Sequence, residues 1–205
     1  MTEADRALAR LAAAIAARDP DALQEAVDRA AASADPNAVE EVLLQSYLFV
    51  GFPVALEAVV LWRQRTGTAA PEDQPEDALA WRARGEAVCA TVYGGQYGRL
   101  RSNVARLHPA YERWMLEEGY GKVLGRPGLS LRARELCIVA QLAALGAPRQ
   151  LYSHLRGARN AGAGDDDIEA ALQEAAAVSS ARCAHEARSV WNSVVGAQRT
   201  SDSGR

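Results

Sequence analysis

Apolar residues recur along the chain at spacings of three and four, which is typical of one face of an α-helix. Asp19-Pro20 and Asp35-Pro36 each place a capping carboxylate before a proline at a first helical position. Because alternating β-branched runs are almost absent, the pattern predicts an all-α protein. The predicted helices lie at about 3–18, 20–33, 36–50, 53–66, 76–93, 97–106, 109–124, 130–145, 148–161, 165–178 and 180–196.

Two stretches poor in apolar residues divide the chain. The segment "GTAAPEDQPED" at 67–77 is interpreted as a linker, and 197–205 as a flexible tail. They delimit an N-terminal helical half at 1–66 and a second half at 78–196.

The two halves align as copies of one unit. Pro20 aligns with Pro148 and, after a one-residue gap, Trp62 aligns with Trp191. This predicts an internally duplicated four-helix unit in which the N-terminal half is a vestigial copy.

Glu135 and His154 are ionisable residues on apolar helix faces, and the alignment places Ala7 and Ala26 at their positions in the first copy. The fold therefore does not require them. Histidine titrates near neutral pH and a carboxylate can orient it, so the pair could transfer protons. Alternatively, the pair only satisfies two buried polar groups, which adds little net stability. A pair lining a cavity would favour catalysis, and a dry, packed pair a non-catalytic protein.

Composition excludes several classes of function. The net charge is −3 and no basic face emerges, so nucleic acid is not an expected partner. Cys89, Cys137 and Cys183 are far apart and odd in number, which indicates buried thiols rather than disulfides. One histidine and one glutamate are too few ligands for a metal site. We find no secretory signal and expect no membrane-spanning segment, so a cytoplasmic protein is expected.

The run "RPGLSLRARELCIVAQLAALGAPRQLYSHLRGARNAG" resembles the carboxymuconolactone decarboxylase family, which includes the alkylhydroperoxidase D-like proteins. Its most specific part is "HLRGARNAG", and the likeness covers most of 37–66 and 85–178. The resemblance implies an alkylhydroperoxidase D-like helical bundle that assembles as a homo-oligomer.

The resemblance also implies a chemistry. In the peroxidase branch a Glu, a C-x-x-C pair and a His form a redox relay. Glu135 and His154 match the Glu and His, whereas Ala147 and Gln150 replace the cysteines. Thiol peroxidase activity is therefore a distant alternative. The decarboxylase branch implies a lyase without metal or organic cofactor that acts on a small carboxylated lactone, with His154 as general acid or base and Glu135 holding it.

Further residues are candidates for binding the carboxylate substrate. Glu117 and Tyr120 occupy the family's acidic-aromatic stretch, and Tyr47 begins "YLFVGFP" in the first half. Each could instead be a solvated charge or a packing aromatic. Arg126 and Arg156 could meet a substrate carboxylate, although Arg156 is expected on the outer side of its helix. A non-catalytic oligomeric or ligand-binding protein stays open as the alternative function.

Overall fold

The computed structural model of the chain describes residues 1–72 and 76–202, with side chains described as far as residue 197. Within these ranges the chain is almost entirely helical and forms no strand, which confirms the all-α class. The helices are α1 (Glu3–Ala17), α2 (Pro20–Ser33), α3 (Pro36–Thr66), α4 (Ala78–Tyr93), α5 (Tyr97–Leu107), α6 (Pro109–Trp114), α7 (Leu131–Leu145), α8 (Pro148–Asn160), α9 (Asp165–Ala176) and α10 (Ala181–Asp202). A 3₁₀ turn, Gly94–Gln96, joins α4 to α5, and α6 continues into a π-helical segment, Met115–Leu124.

The predicted helix starts at the two Asp-Pro pairs are confirmed. The Asp19 carboxylate accepts the backbone N–H of Asp21 at 3.0 Å, and Asp35 accepts that of Asn37 at 2.8 Å. Each cap satisfies a backbone donor that has no partner inside its helix. Local capping chemistry therefore explains where α2 and α3 begin.

Corresponding side chains of the two halves make corresponding contacts. The indole N–H of Trp62 donates to Glu40 at 2.8 Å, and that of Trp191 donates to Glu169 at 3.2 Å. Both tryptophans are buried, and each bond links residues 22 positions apart. These matched bonds support the interpretation of the chain as a duplicated four-helix unit.

The two halves also contact each other through equivalent residues. Arg6 in α1 donates to Glu174 in α9 at 3.4 Å, and Arg134 in α7 donates to Gln45 in α3 at 3.4 Å. Cys137, on α7, packs into a core cluster whose other fully buried residues all belong to the first half. The halves therefore share their core, and the division at 67–77 stays a prediction about domain organisation.

Helix α3 is not continuous. Gly51 has φ 78° and ψ 164°, which are not helical values. The helix is therefore interrupted at Gly51, between the two predicted helices, and continues from Phe52 and Pro53. By length and composition alone, Pro36–Thr66 could cross a membrane, which corrects the expectation that no segment is long and apolar enough. The break divides this stretch.

The C-terminal end differs from its prediction. Helix α10 runs to Asp202, past the predicted end at 196, so most of the segment interpreted as a flexible tail is helical. Of the predicted linker, 67–72 and 76–77 are non-helical, and residues 73–75 lie outside the described residues.

Close packing of α4 on the π-helical segment sets the position of Tyr120. A Cβ on Gly85 would lie 1.8 Å from the carbonyl oxygen of Leu116, and one on Gly121 would lie 2.0 Å from that of Trp81. Real Cβ atoms do not approach this closely, so only glycine allows the two backbones to meet here. The contact holds Tyr120 against the core.

Candidate functional site

Glu135 and His154 form a buried pair. Glu135 projects from α7, His154 projects from α8, and His154 Nδ1 lies 2.9 Å from Glu135 Oε2. Glu135 is fully buried and His154 is 7% exposed. The structure thus brings together the two residues that helix periodicity placed on apolar faces, and the carboxylate orients the imidazole. Their catalytic role stays a prediction.

The backbone of α8 closes over the Glu135 carboxylate. A Cβ on Gly157 would lie 2.7 Å from Glu135 Oε2 and 2.7 Å from Val92 Cγ1, so glycine is needed for this approach. Glu135 Oε1 is buried and has no hydrogen-bond partner among the described residues. A buried carboxylate oxygen without a partner is costly, and such atoms are frequent at functional sites.

Tyr93 and Tyr120 lie beside the pair. Their rings meet edge to face with centroids 6.1 Å apart. Burial raises the pKa of Tyr120 well above its usual value, with further contributions from Tyr93, Glu135 and Cys89. Burial also raises the pKa of Tyr93 to about 12. Both phenols therefore stay protonated at neutral pH. The substrate-binding role of Tyr120 stays a prediction.

The first half contributes a ring to this site. Phe49 in α3 meets the His154 imidazole edge to face, with centroids 6.0 Å apart. Tyr47, the residue predicted from the sequence, instead donates from its hydroxyl to Glu118 at 3.0 Å and stacks on Phe52 at 4.6 Å. Burial, followed by the Glu118 contact, raises the pKa of Tyr47. Tyr47 is thus anchored to the π-helical segment rather than to the pair.

Glu117 and Arg126 have other partners. The Glu117 carboxylate lies 3.7 Å from Arg82 and 3.9 Å from Arg113, in partly exposed ion pairs. The structure therefore shows Glu117 in contact with arginines and not with the pair. Arg126 is held by Glu41 at 3.1 Å, which leaves it engaged within the fold.

A buried ion pair anchors the start of α7, and sequence reasoning missed it. Arg134 is fully buried, and its Nη2 donates to Glu41 at 2.7 Å. Burial lowers the pKa of Arg134, while the contact with Glu41 opposes that change. The pair fixes the residue that directly precedes Glu135 and so holds the first turn of α7 against α3.

The described cavities lie away from the pair. The largest, about 560 Å³, lies in the first half between α1, α2 and the second segment of α3. A cleft of about 260 Å³ lies between α5 and the outer face of α8, and Val92 and Tyr93 form part of its wall. Neither Glu135 nor His154 lines any of the described cavities. Val92 lines the 260 Å³ cleft and lies close to the Glu135 carboxylate, because a Cβ on Gly157 would meet both side chains.

The thiols are unsuited to redox catalysis. Cys89, Cys137 and Cys183 are buried and unpaired. Burial raises the pKa of both Cys89 and Cys137 to about 12, so neither forms a thiolate at neutral pH. Among the described residues, no group of three or more His, Cys, Asp or Glu side chains could hold a metal ion.

One comparison with known protein families finds a match within the second half of the chain. Residues 109–192 match the sequence model of the carboxymuconolactone decarboxylase family. The matched region contains Tyr120, Glu135 and His154, so the resemblance seen in the sequence is confirmed, and the helical architecture is the alkylhydroperoxidase D-like fold of that family. No curated protein matches the chain.

Proposed function

We propose that the protein is a cofactor-free lyase that removes CO₂ from a small carboxylated lactone or a related acid. His154 acts as the general acid or base, and Glu135 positions it. The observation that carries this proposal is the 2.9 Å contact between His154 Nδ1 and Glu135 Oε2, inside a region that matches the decarboxylase family.

The chemistry needs one proton transfer. When the bond between the ring carbon and the carboxylate breaks, CO₂ leaves and the electron pair remains on the substrate as an extended enolate. The imidazolium of His154 then donates the Nε2 proton to that carbon, while Glu135 accepts the hydrogen bond from Nδ1–H. Solvent later returns a proton to the imidazole. The Phe49 ring meets the imidazole edge to face, and Tyr93 and Tyr120 lie close enough to Glu135 for its charge to raise their pKa values. Low-dielectric surroundings of this kind strengthen electrostatic interactions.

A non-catalytic, ligand-binding member of the family is the second candidate. Two observations favour it. His154 is only slightly exposed, and neither His154 nor Glu135 lines any of the described cavities. Thiol peroxidase chemistry is the least supported, because Ala147 and Gln150 replace the cysteines and the thiols are buried.

We also propose that the chain assembles with copies of itself. Phe52, Leu56 and Val60 are between 53% and 60% exposed and follow one another at four-residue spacing on the second segment of α3. An apolar stripe of this kind fits the homo-oligomer that the family resemblance implies.

Kinetics of three matched variants test the proposal. His154→Gln should lower kcat on a carboxymuconolactone by roughly 10²-fold or more, the contribution usual for a general acid. Glu135→Gln should lower kcat, leave KM nearly unchanged and displace the pH profile, because Glu135 acts through the imidazole. His185→Gln, at an exposed histidine of α10, should behave as wild type. A folded His154→Gln variant with wild-type kcat would overturn the proposed mechanism.

A further inference from the structure

The cleft beside α8 has a cationic lining without any acidic residue. It occupies about 260 Å³ between the 3₁₀ turn and α5 on one side and the outer face of α8 on the other. Two arginines line it, Arg99 from α5 and Arg156 from α8, and all its other polar residues are neutral. Its lining residues are Val92, Tyr93, Gln96, Arg99, Leu100, Asn103, Tyr152, Ser153, Arg156 and Asn160.

The two cleft arginines differ from their neighbours on the same helices. Arg101 on α5 donates to Glu112 at 2.6 Å, and Arg159 on α8 donates to Asp165 at 2.8 Å. Among the side chains of residues 1–72 and 76–197, by contrast, neither Arg99 nor Arg156 has an ion-pair or hydrogen-bond partner. Two positive groups thus share one concave surface without a compensating carboxylate, an arrangement that attracts an anion.

Neutral donors complete the polar side of the cleft. Arg106 donates to the side-chain oxygen of Asn103, which leaves the Asn103 NH₂ group free to donate to a ligand. Ser153, which also lines the cleft, adds a hydroxyl donor. A guanidinium binds a carboxylate or phosphate through two parallel hydrogen bonds. The polar side is therefore suited to an oxyanion.

Part of the cleft wall is apolar. Tyr93 and Leu100 line it and are partly exposed, whereas Val92 is almost fully buried. Ligand sites commonly combine such apolar walls with a few orienting polar groups. An inorganic ion would leave this wall unused, whereas an organic anion would cover it with its carbon skeleton.

We propose that this cleft is a binding site for a small organic anion. Arg99 and Arg156 hold its oxyanion group, assisted by Asn103, and its carbon skeleton packs on Tyr93 and Leu100. The inference goes beyond the proposed lyase activity and does not depend on it, because none of these contacts involves the Glu135–His154 pair.

Calorimetric titration of the purified protein with adipate and with inorganic phosphate, at low ionic strength, tests the site. Adipate should bind at one site per chain, and Arg99→Gln and Arg156→Gln should each weaken binding about tenfold, the loss expected for a charged hydrogen bond. Arg182→Gln, at an exposed arginine that lines no described cavity, should bind as wild type does.

Several results would overturn the inference. The first is wild-type protein that does not bind adipate, and the second is binding that survives both arginine substitutions unchanged. Phosphate that binds as tightly as adipate would refute the role of the apolar wall. Because His154→Gln leaves the cleft intact, this variant should bind adipate normally. The proposal of an anion site in the cleft and the proposal of catalysis by the Glu135–His154 pair can therefore be refuted independently.

Discussion

Gly157→Ala tests whether α8 must lie directly on the Glu135 carboxylate. In a helix interior, replacing glycine by alanine ordinarily stabilises a protein by roughly 1 kcal/mol. Here the new Cβ would lie 2.7 Å from both Glu135 Oε2 and Val92 Cγ1, and overpacking of this kind costs about 1–3 kcal/mol. The clash should cancel or exceed the gain in helix propensity, giving a net change from about zero to roughly 2 kcal/mol destabilising.

The matched control for Gly157→Ala is Gly98→Ala. Gly98 lies in the first turn of α5, and a Cβ there would meet no atom within 4 Å. This variant should be neutral or slightly more stable than wild type. The measurement is urea unfolding followed by circular dichroism, with midpoints compared at equal slope. If Gly157→Ala were stabilised by at least as much as Gly98→Ala, the close approach of α8 to Glu135 would be refuted.

Three further predictions concern the ion pairs and the thiols. Glu41→Ala leaves Arg134 buried without its carboxylate, so the free energy of unfolding should fall by about 3–5 kcal/mol. Asp28→Ala removes an exposed ion pair and should lower the free energy of unfolding far less. Equal losses for the two variants in urea unfolding would contradict this prediction. The Met1 amino group and Arg132 lower the pKa of Asp167 to about 2, so its stabilisation is complete above about pH 4 and is lost as the pH falls towards 2. In acid titrations Asp167→Asn should lack this part of the transition, and an unchanged acid limb would contradict it. The buried cysteines should resist iodoacetamide in the native protein at pH 8 and react after unfolding, whereas rapid native labelling would show accessible thiols.

Local sequence signals predicted the helices well, because they depend on residues close together in the chain. The Asp-Pro caps and the apolar period place most helix starts within a few residues. The π-helical turn at Met115–Leu124 was predicted as ordinary helix, since apolar spacing does not show a change from 3.6 residues per turn.

The candidate site was only partly predictable. Glu135 and His154 lie on neighbouring helices joined by a short turn, so their helix faces were enough to pair them. Phe49 contacts His154, and Tyr93 contacts Tyr120, through packing of helices that are distant in sequence, which no local pattern encodes. One signal could have indicated the position of Tyr93. It follows Cys89 by four residues, so the two share a helix face, and Cys89 is expected to be buried.

Decarboxylation by the purified wild-type protein, measured as CO₂ released from a carboxymuconolactone beside folded His154→Gln, tests the central claim most directly. The account predicts release of one CO₂ for each lactone consumed by wild type and a loss of roughly 10²-fold or more in the variant. Equal rates in the two proteins, or no release by either, would contradict a decarboxylase that works through the Glu135–His154 pair.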